Sequence, residues 1–148
     1  MDLDSASFGR ARPDIEHERQ VAIFDLLADN RFSLESGAAG PYRLRLAMAG
    51  DRLNVEVSDA GGAPVLSVPL GLGSFRRLVK DYTLICESYY DAIKSAPPSR
   101  IEAIDMGRRA MHNEGSMLLT ERLRGRITVD EPTARRLFTL LCALHWTA

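Results

Sequence analysis

Between Ser99 and Gly115, the stretch "SRIEAIDMGRRAMHNEG" gathers Glu102, Asp105, Arg108, Arg109, His112 and Glu114. Neighbours three or four apart lie side by side on a helix, so Asp105 would meet Arg108 and Arg109, and Arg108 would meet His112. An aspartate that orients a histidine, beside an arginine that holds an anion, suits acid–base chemistry on phosphates or carboxylates. In that reading Asp105 and His112 are the candidate catalytic pair, and Arg108 and Arg109 hold the ligand. His17 and Glu18, in "EHER", are candidate second contributors from another helix. The same residues also read as a solvated helix face. Ser99 and Glu102 have capping-box spacing, and Asp105 with Arg109 is an ordinary surface ion pair.

A second anion-binding candidate is "GLGSFRR", where Gly73 and Ser74 precede a helix start and Arg77 supplies charge. The competing reading is a glycine-bearing strand-to-helix turn, since neither the Walker lysine nor a full GxGxxG is present. Paired arginines at 76–77, 108–109 and 135–136 could form a basic patch. Aromatic interleaving is missing and acidic residues intervene, so nucleic acid is not expected as a partner. His17, His112 and His145 have no local metal-binding spacing, and the expectation is no metal and no cofactor. Cys86 and Cys142 each sit in an apolar helical run and read as small buried hydrophobes. No serine stands in a GxSxG elbow.

The elements that must position these residues belong to one small domain. The chain has 148 residues, is 45% hydrophobic and 26% charged, and carries a formal net charge of −1. That size can bury a core without disulfides, and that charge gives no global attraction to DNA or an acidic membrane. Lysine is scarce, with only Lys80 and Lys94 among 19 basic residues. The N-terminal segment has no apolar signal core, and no run is long enough to span a membrane. The expected location is cytoplasmic.

Residues 1–12 read as a flexible tail, followed by a single domain over 13–148. "PDIEHERQVAIFDLLADN" is helical, and Val21, Phe24 and Ala28, with Ile23 and Leu27 beside them, are its expected core stripe. Strict alternation follows in "YRLRLAM", "RLNVEV" and "VLSVPL", a three-stranded antiparallel meander. Gly50 and Asp51 mark its first turn. Pro69 places the third strand at an edge. The second helix presents Phe75, Leu78, Val79, Tyr82, Ile85, Cys86, Tyr89 and Ile93 to a core. The third starts at the Ser99 cap and runs to about Arg124, with a candidate break at "HNEG" and a stop at Gly125. "RITV" is a candidate fourth strand. Asp130 then caps a final helix, apolar nearly all round from Leu137 to Leu144, which must lie centrally or at a subunit seam. The expected class is α+β: a small antiparallel sheet covered by about four helices.

Taken together, "PDIEHER", "FRRLVKDYTLICESYYDAI", "IEAIDMGRRAMHNEG" and "TARRLFTLLCALHW" resemble uncharacterised protein family 0262, small alphaproteobacterial proteins. The resemblance runs from Pro13 to Trp146 and is weakest between Ser33 and Leu70. It implies a bacterial, single-domain, cytoplasmic protein, and it transfers no activity, cofactor or catalytic residue. The leading expectation is therefore a binding or regulatory module, acting through a protein partner or as a homodimer through the C-terminal helix. The alternative is a small enzyme or sensor for an anionic metabolite at the Asp/Arg/His face.

Overall fold

The computed structural model describes residues 2–3, 13–37, 39–49, 52–71 and 73–145. Within these, the side chains of residues 2–3, 13–16, 18–19, 48–49, 74 and 143–145 are outside the description. In chain order the elements are β1 (Asp2–Leu3), α1 (Pro13–Ala28), β2 (Phe32–Leu34), β3 (Tyr42–Ala49), β4 (Arg52–Asp59) and β5 (Pro64–Gly71). Then come α2 (Gly73–Ser95), α3 (Pro98–Leu123), β6 (Ile127–Val129) and α4 (Glu131–His145).

The alternating stretch folds as its period demands. β3, β4 and β5 form an antiparallel meander in the order β1-β3-β4-β5. Tyr42↔Asp59 and Ala49↔Arg52 are the outer pairs of its first hairpin, and the Gly50–Asp51 turn lies outside the described residues. Tyr42, Leu44, Leu46, Leu53, Val55, Val57, Val68 and Leu70 are all buried, one face of one sheet. Pro69 does lie on the edge strand, where a missing N–H leaves no broken ladder. One part of the expected tail is strand: Asp2 and Leu3 run parallel to β3, against Arg43 and Leu44.

"RITV" forms β6, but β6 does not join the meander. It pairs antiparallel with β2, Phe32↔Val129 to Leu34↔Ile127, as a separate two-stranded sheet. Glu35 reinforces this clasp. Its N–H donates to Arg126 O at 3.0 Å, and its Oε1 accepts from Thr128 Oγ1 at 3.1 Å.

The helices correct four expectations, the first being Ile93, read into the α2 core stripe but 49% exposed. In α1 the buried residues are Ala22, Ile23 and Leu26, while Val21, Phe24 and Leu27 face outward. Apolar residues stand almost all round this helix, so spacing alone does not choose its inner face. α3 begins one residue before Ser99, with Pro98 at its first position and no side-chain cap. A proline there loses only an N–H that has no helical partner, so the capping box is not used. Nor does α3 break at "HNEG": it continues through Gly115, whose missing side chain leaves room for the Phe138 ring of α4, which a Cβ would strike. The expected stop is seen at Gly125, with φ of +91°.

α4 lies centrally and packs against both α1 and α3. Asp130 caps it, accepting Thr133 N–H at 3.1 Å. Thr133, Ala134, Leu137, Phe138, Leu140, Leu141 and Cys142 are all buried within the same protomer. Leu137, Phe138, Leu140, Leu141 and Cys142 share one core with Leu26 of α1, Phe75 and Val79 of α2, Leu119 and Leu123 of α3, and the sheet face.

Candidate functional site

The polar line of α3 divides between two neighbours, with Arg108 against Tyr89 of α2 and His112 against Thr139 of α4. Asp105 Oδ1 accepts from Arg108 Nη2 at 2.6 Å and from Arg108 Nε at 3.2 Å. Its Oδ2 meets Arg109 Nε at 3.0 Å. The Arg108 guanidinium also lies 4.6 Å over the Tyr89 ring of α2, a cation–π contact. The Arg108 hydrogen bonds hold the Asp105 carboxyl below the usual carboxylate range, against the opposing pull of burial and with help from the Arg109 and Arg108 charges. One carboxylate thus serves two guanidiniums, and Arg108 is anchored on both sides.

His112 turns elsewhere. Its Nε2 lies 2.8 Å from Thr139 Oγ1 of α4. The Thr139 hydroxyl donates its one hydrogen to Arg135 O at 3.1 Å. The threonine oxygen is then the acceptor, which assigns the imidazole proton to Nε2 by the hydrogen-bond network. Nδ1 is left a buried acceptor with no hydrogen-bond partner among the described residues. The ring lies edge-on to Phe138, 5.4 Å between centroids, and 5.5 Å from Tyr82. Burial pushes the His112 pKa down to about 4, and the positive charges of Arg135 and Arg108 add to the shift. His112 is therefore neutral at pH 7, set in an aromatic nest. Burial, with the thiols of Cys86 and Cys142 nearby, raises the Tyr82 hydroxyl well above the ordinary phenol.

The structure thus brings Asp105, Arg108 and Arg109 together, and gives His112 to Thr139 instead of to Asp105. The other sequence candidates are dispersed. His17 is exposed on α1, and the Glu18 and Ser74 side chains are outside the description. Gly73 opens α2 with free space around its Cα, and Arg77 pairs with Asp81 at 3.8 Å. Arg136 donates to Asp29 O at 2.6 Å, and Arg135 donates to Asn113 Oδ1. Arg77, Arg135 and Arg136 are accordingly engaged at separate places on the fold, by Asp81, Asn113 and Asp29. The His145 side chain lies outside the description, and no three His, Cys, Asp or Glu converge as a metal set among the described residues.

Two features escape sequence reasoning. A shallow open depression of about 600 Å³ lies where β2, β6 and the start of β3 meet the α4 cap, lined by Arg31, Phe32, Tyr42 and Asp130 among others. Its residues are about a hundred positions apart, and only the β2–β6 pairing unites them. The second is the outer face of α1, where Phe24 is 72% exposed, Val21 47% and Leu27 41%. Positions 21, 24 and 27 are three apart, so they make a continuous apolar stripe, with Ala28 exposed beside it. Large apolar side chains grouped in this way mark interaction surfaces more often than scattered ones do.

Over residues 1–147 the chain matches the Uncharacterised protein family (UPF0262). The UPF0262 protein of Chelativorans sp. strain BNC1 is 58% identical over 147 residues, covering 99% of this chain and 91% of its own. That of Mesorhizobium japonicum is 57% identical over the same length and coverage. The protein of Rhodospirillum rubrum is 55% identical over 145 residues, 98% of this chain and 89% of its own. No solved structure matches. Among the described residues no helix is long and apolar enough to cross a membrane.

Proposed function

We propose that this chain, which belongs to the uncharacterised protein family UPF0262, is a non-catalytic interaction module whose docking surface is the outer face of α1. The single observation behind this reading is the exposed Val21–Phe24–Leu27 stripe on a helix whose other side is in the core. A helix anchored by Ala22, Ile23 and Leu26 is rigid, so it presents the stripe without an ordering cost. The apolar residues of α4 that suggested a seam are consumed inside the protomer, so self-association through that helix has less support than docking on α1. The Asp105–Arg108–Arg109 cluster supports a structural role. Asp105 holds both guanidiniums within the helix, and His112 has a pKa far from that of an acid–base group working near neutrality.

The test is a photo-crosslinking residue placed at Phe24 in the cells that make the protein, with Glu87 on α2 as the exposed control site. A discrete adduct from position 24, and none from 87, is the expected result. Equal labelling at both sites, or none at 24, would remove the reading.

A further inference from the structure

The occupant of the α1 stripe can be narrowed by area and by charge. Three side chains of the sizes of Val, Phe and Leu, at these exposures, present roughly 300 Å² of apolar surface, taking on the order of 150–200 Å² for each when free. A stable two-fold dimer needs about 800 Å² from each partner. The stripe alone is too small for that. It is the size of the seat that a short amphipathic segment occupies through a few anchors spaced three and four apart.

The helix is also acidic. Pro13–Ala28 holds Asp14, Glu16, Glu18 and Asp25 against the single basic residue Arg19, a formal charge of −3, and Asp29 follows immediately. Asp25 is exposed next to Phe24. The Asp29 side chain, 80% exposed, lies 3.9 Å from Arg136 and is only loosely engaged. A second copy would bring one helix of charge −3 against another, and like charges across an interface select against that pairing.

Resting on the α1 reading above, we infer that the face takes a different protein, through a short amphipathic segment whose apolar anchors are flanked by lysine or arginine. Phe24 fills the space between its anchors, and Asp25 selects the basic flank. The net negative charge of the helix steers the approach, which makes the association sensitive to salt.

The probe is a short synthetic helical peptide with a leucine stripe flanked by lysines, compared with a twin carrying glutamates at the flanks. Binding to the 148-residue chain is read by fluorescence anisotropy at low and physiological salt. The lysine peptide is expected to bind at least about tenfold more tightly than the glutamate twin, an affinity ratio within reach of a few screened charges. Phe24→Ser should weaken it by about tenfold or more, and Asp25→Lys should narrow the preference between the two peptides. Equal binding of the twins, or binding indifferent to Phe24→Ser, overturns the inference. So does a concentration-dependent dimer by sedimentation that Phe24→Ser abolishes. That last outcome would still leave α1 an interface, whereas a silent crosslinker at position 24 would remove the interface itself. Phe24→Ser lies on the outer face, so the variant keeps the core intact, and an unchanged unfolding midpoint confirms that lost binding is local.

Discussion

At the scale of single residues, the Thr139 hydroxyl decides what His112 is. Because its hydrogen goes to the Arg135 carbonyl, the ring donates from Nε2 and stays neutral, with Arg108 of α3 and Arg135 of α4 opposing a second proton and the Tyr82 and Phe138 rings packed on it. An unfolded chain would protonate this histidine near its ordinary pKa of about 6.5. The folded chain does so only near pH 4. Between those values the unfolded state binds more protons, so stability must fall as pH falls from about 6.5 towards 4, and flatten below. For this half-buried ring the loss is about 2 kcal/mol once solvent screening is allowed for. Urea unfolding at pH 7 and pH 4.5 checks it, and His112→Gln should lose that share of the difference while being less stable at pH 7. The Asp105–Arg108 contact was legible from the spacing three apart, because helix geometry fixes which neighbours meet. The direction of His112 was not. Its partner is 27 residues away on another helix, and nothing local distinguishes a histidine facing water from one facing α4.

At the scale of elements, period-two alternation leaves one choice of inner face, and the meander followed it at Leu44, Leu46, Leu53, Val55 and Val57. α1 offered no such choice, since residues 21–24 and 26–28 are all apolar. Tertiary packing chose Ala22, Ile23 and Leu26, and left Phe24 outside. Gly115 shows the same dependence on a distant partner. In sequence it resembled a helix breaker beside Asn113 and Glu114. In the fold it is the notch that lets Phe138 approach the α3 backbone. Gly115→Ala would gain about 1 kcal/mol of helix propensity. It should nevertheless destabilise the protein by about 3 kcal/mol, because the Phe138 ring must leave a packed core to admit a methyl group. A thermal or urea midpoint that rises with this substitution would contradict the α3–α4 packing. Gly107, whose Cβ would lie 2.8 Å from the mobile tip of Ile85, is the milder comparison.

At the scale of the whole molecule, pattern left α4 either central or at a seam and packing placed it in the core, while the α+β class and the edge position of β5 followed from pattern. The second sheet did not. β2 and β6 are three residues each, too short to show a period, and they pair across nearly a hundred residues. The open depression at Arg31, Tyr42 and Asp130 was illegible for the same reason, since it exists only once that pairing has formed. Relatives 55–58% identical across almost the full chain have the length to carry this architecture.

The central place of α4 has a consequence for the order in which the protein can be made. A ribosome releases α1, the meander and the α2–α3 hairpin before Phe138, Leu140 and Leu141 exist outside the exit tunnel. Until then Leu26, Leu119 and the sheet face have no common surface to close on, and β2 waits for a strand not yet synthesised. Such long-range closure is slow and leaves apolar surface open while it waits. A nascent chain stalled at Arg124 should therefore show helix by circular dichroism but no cooperative unfolding transition, and should be a better client for a trigger-type chaperone than the released protein. α4 is the keystone, so the molecule becomes a folded object only once that helix has left the tunnel.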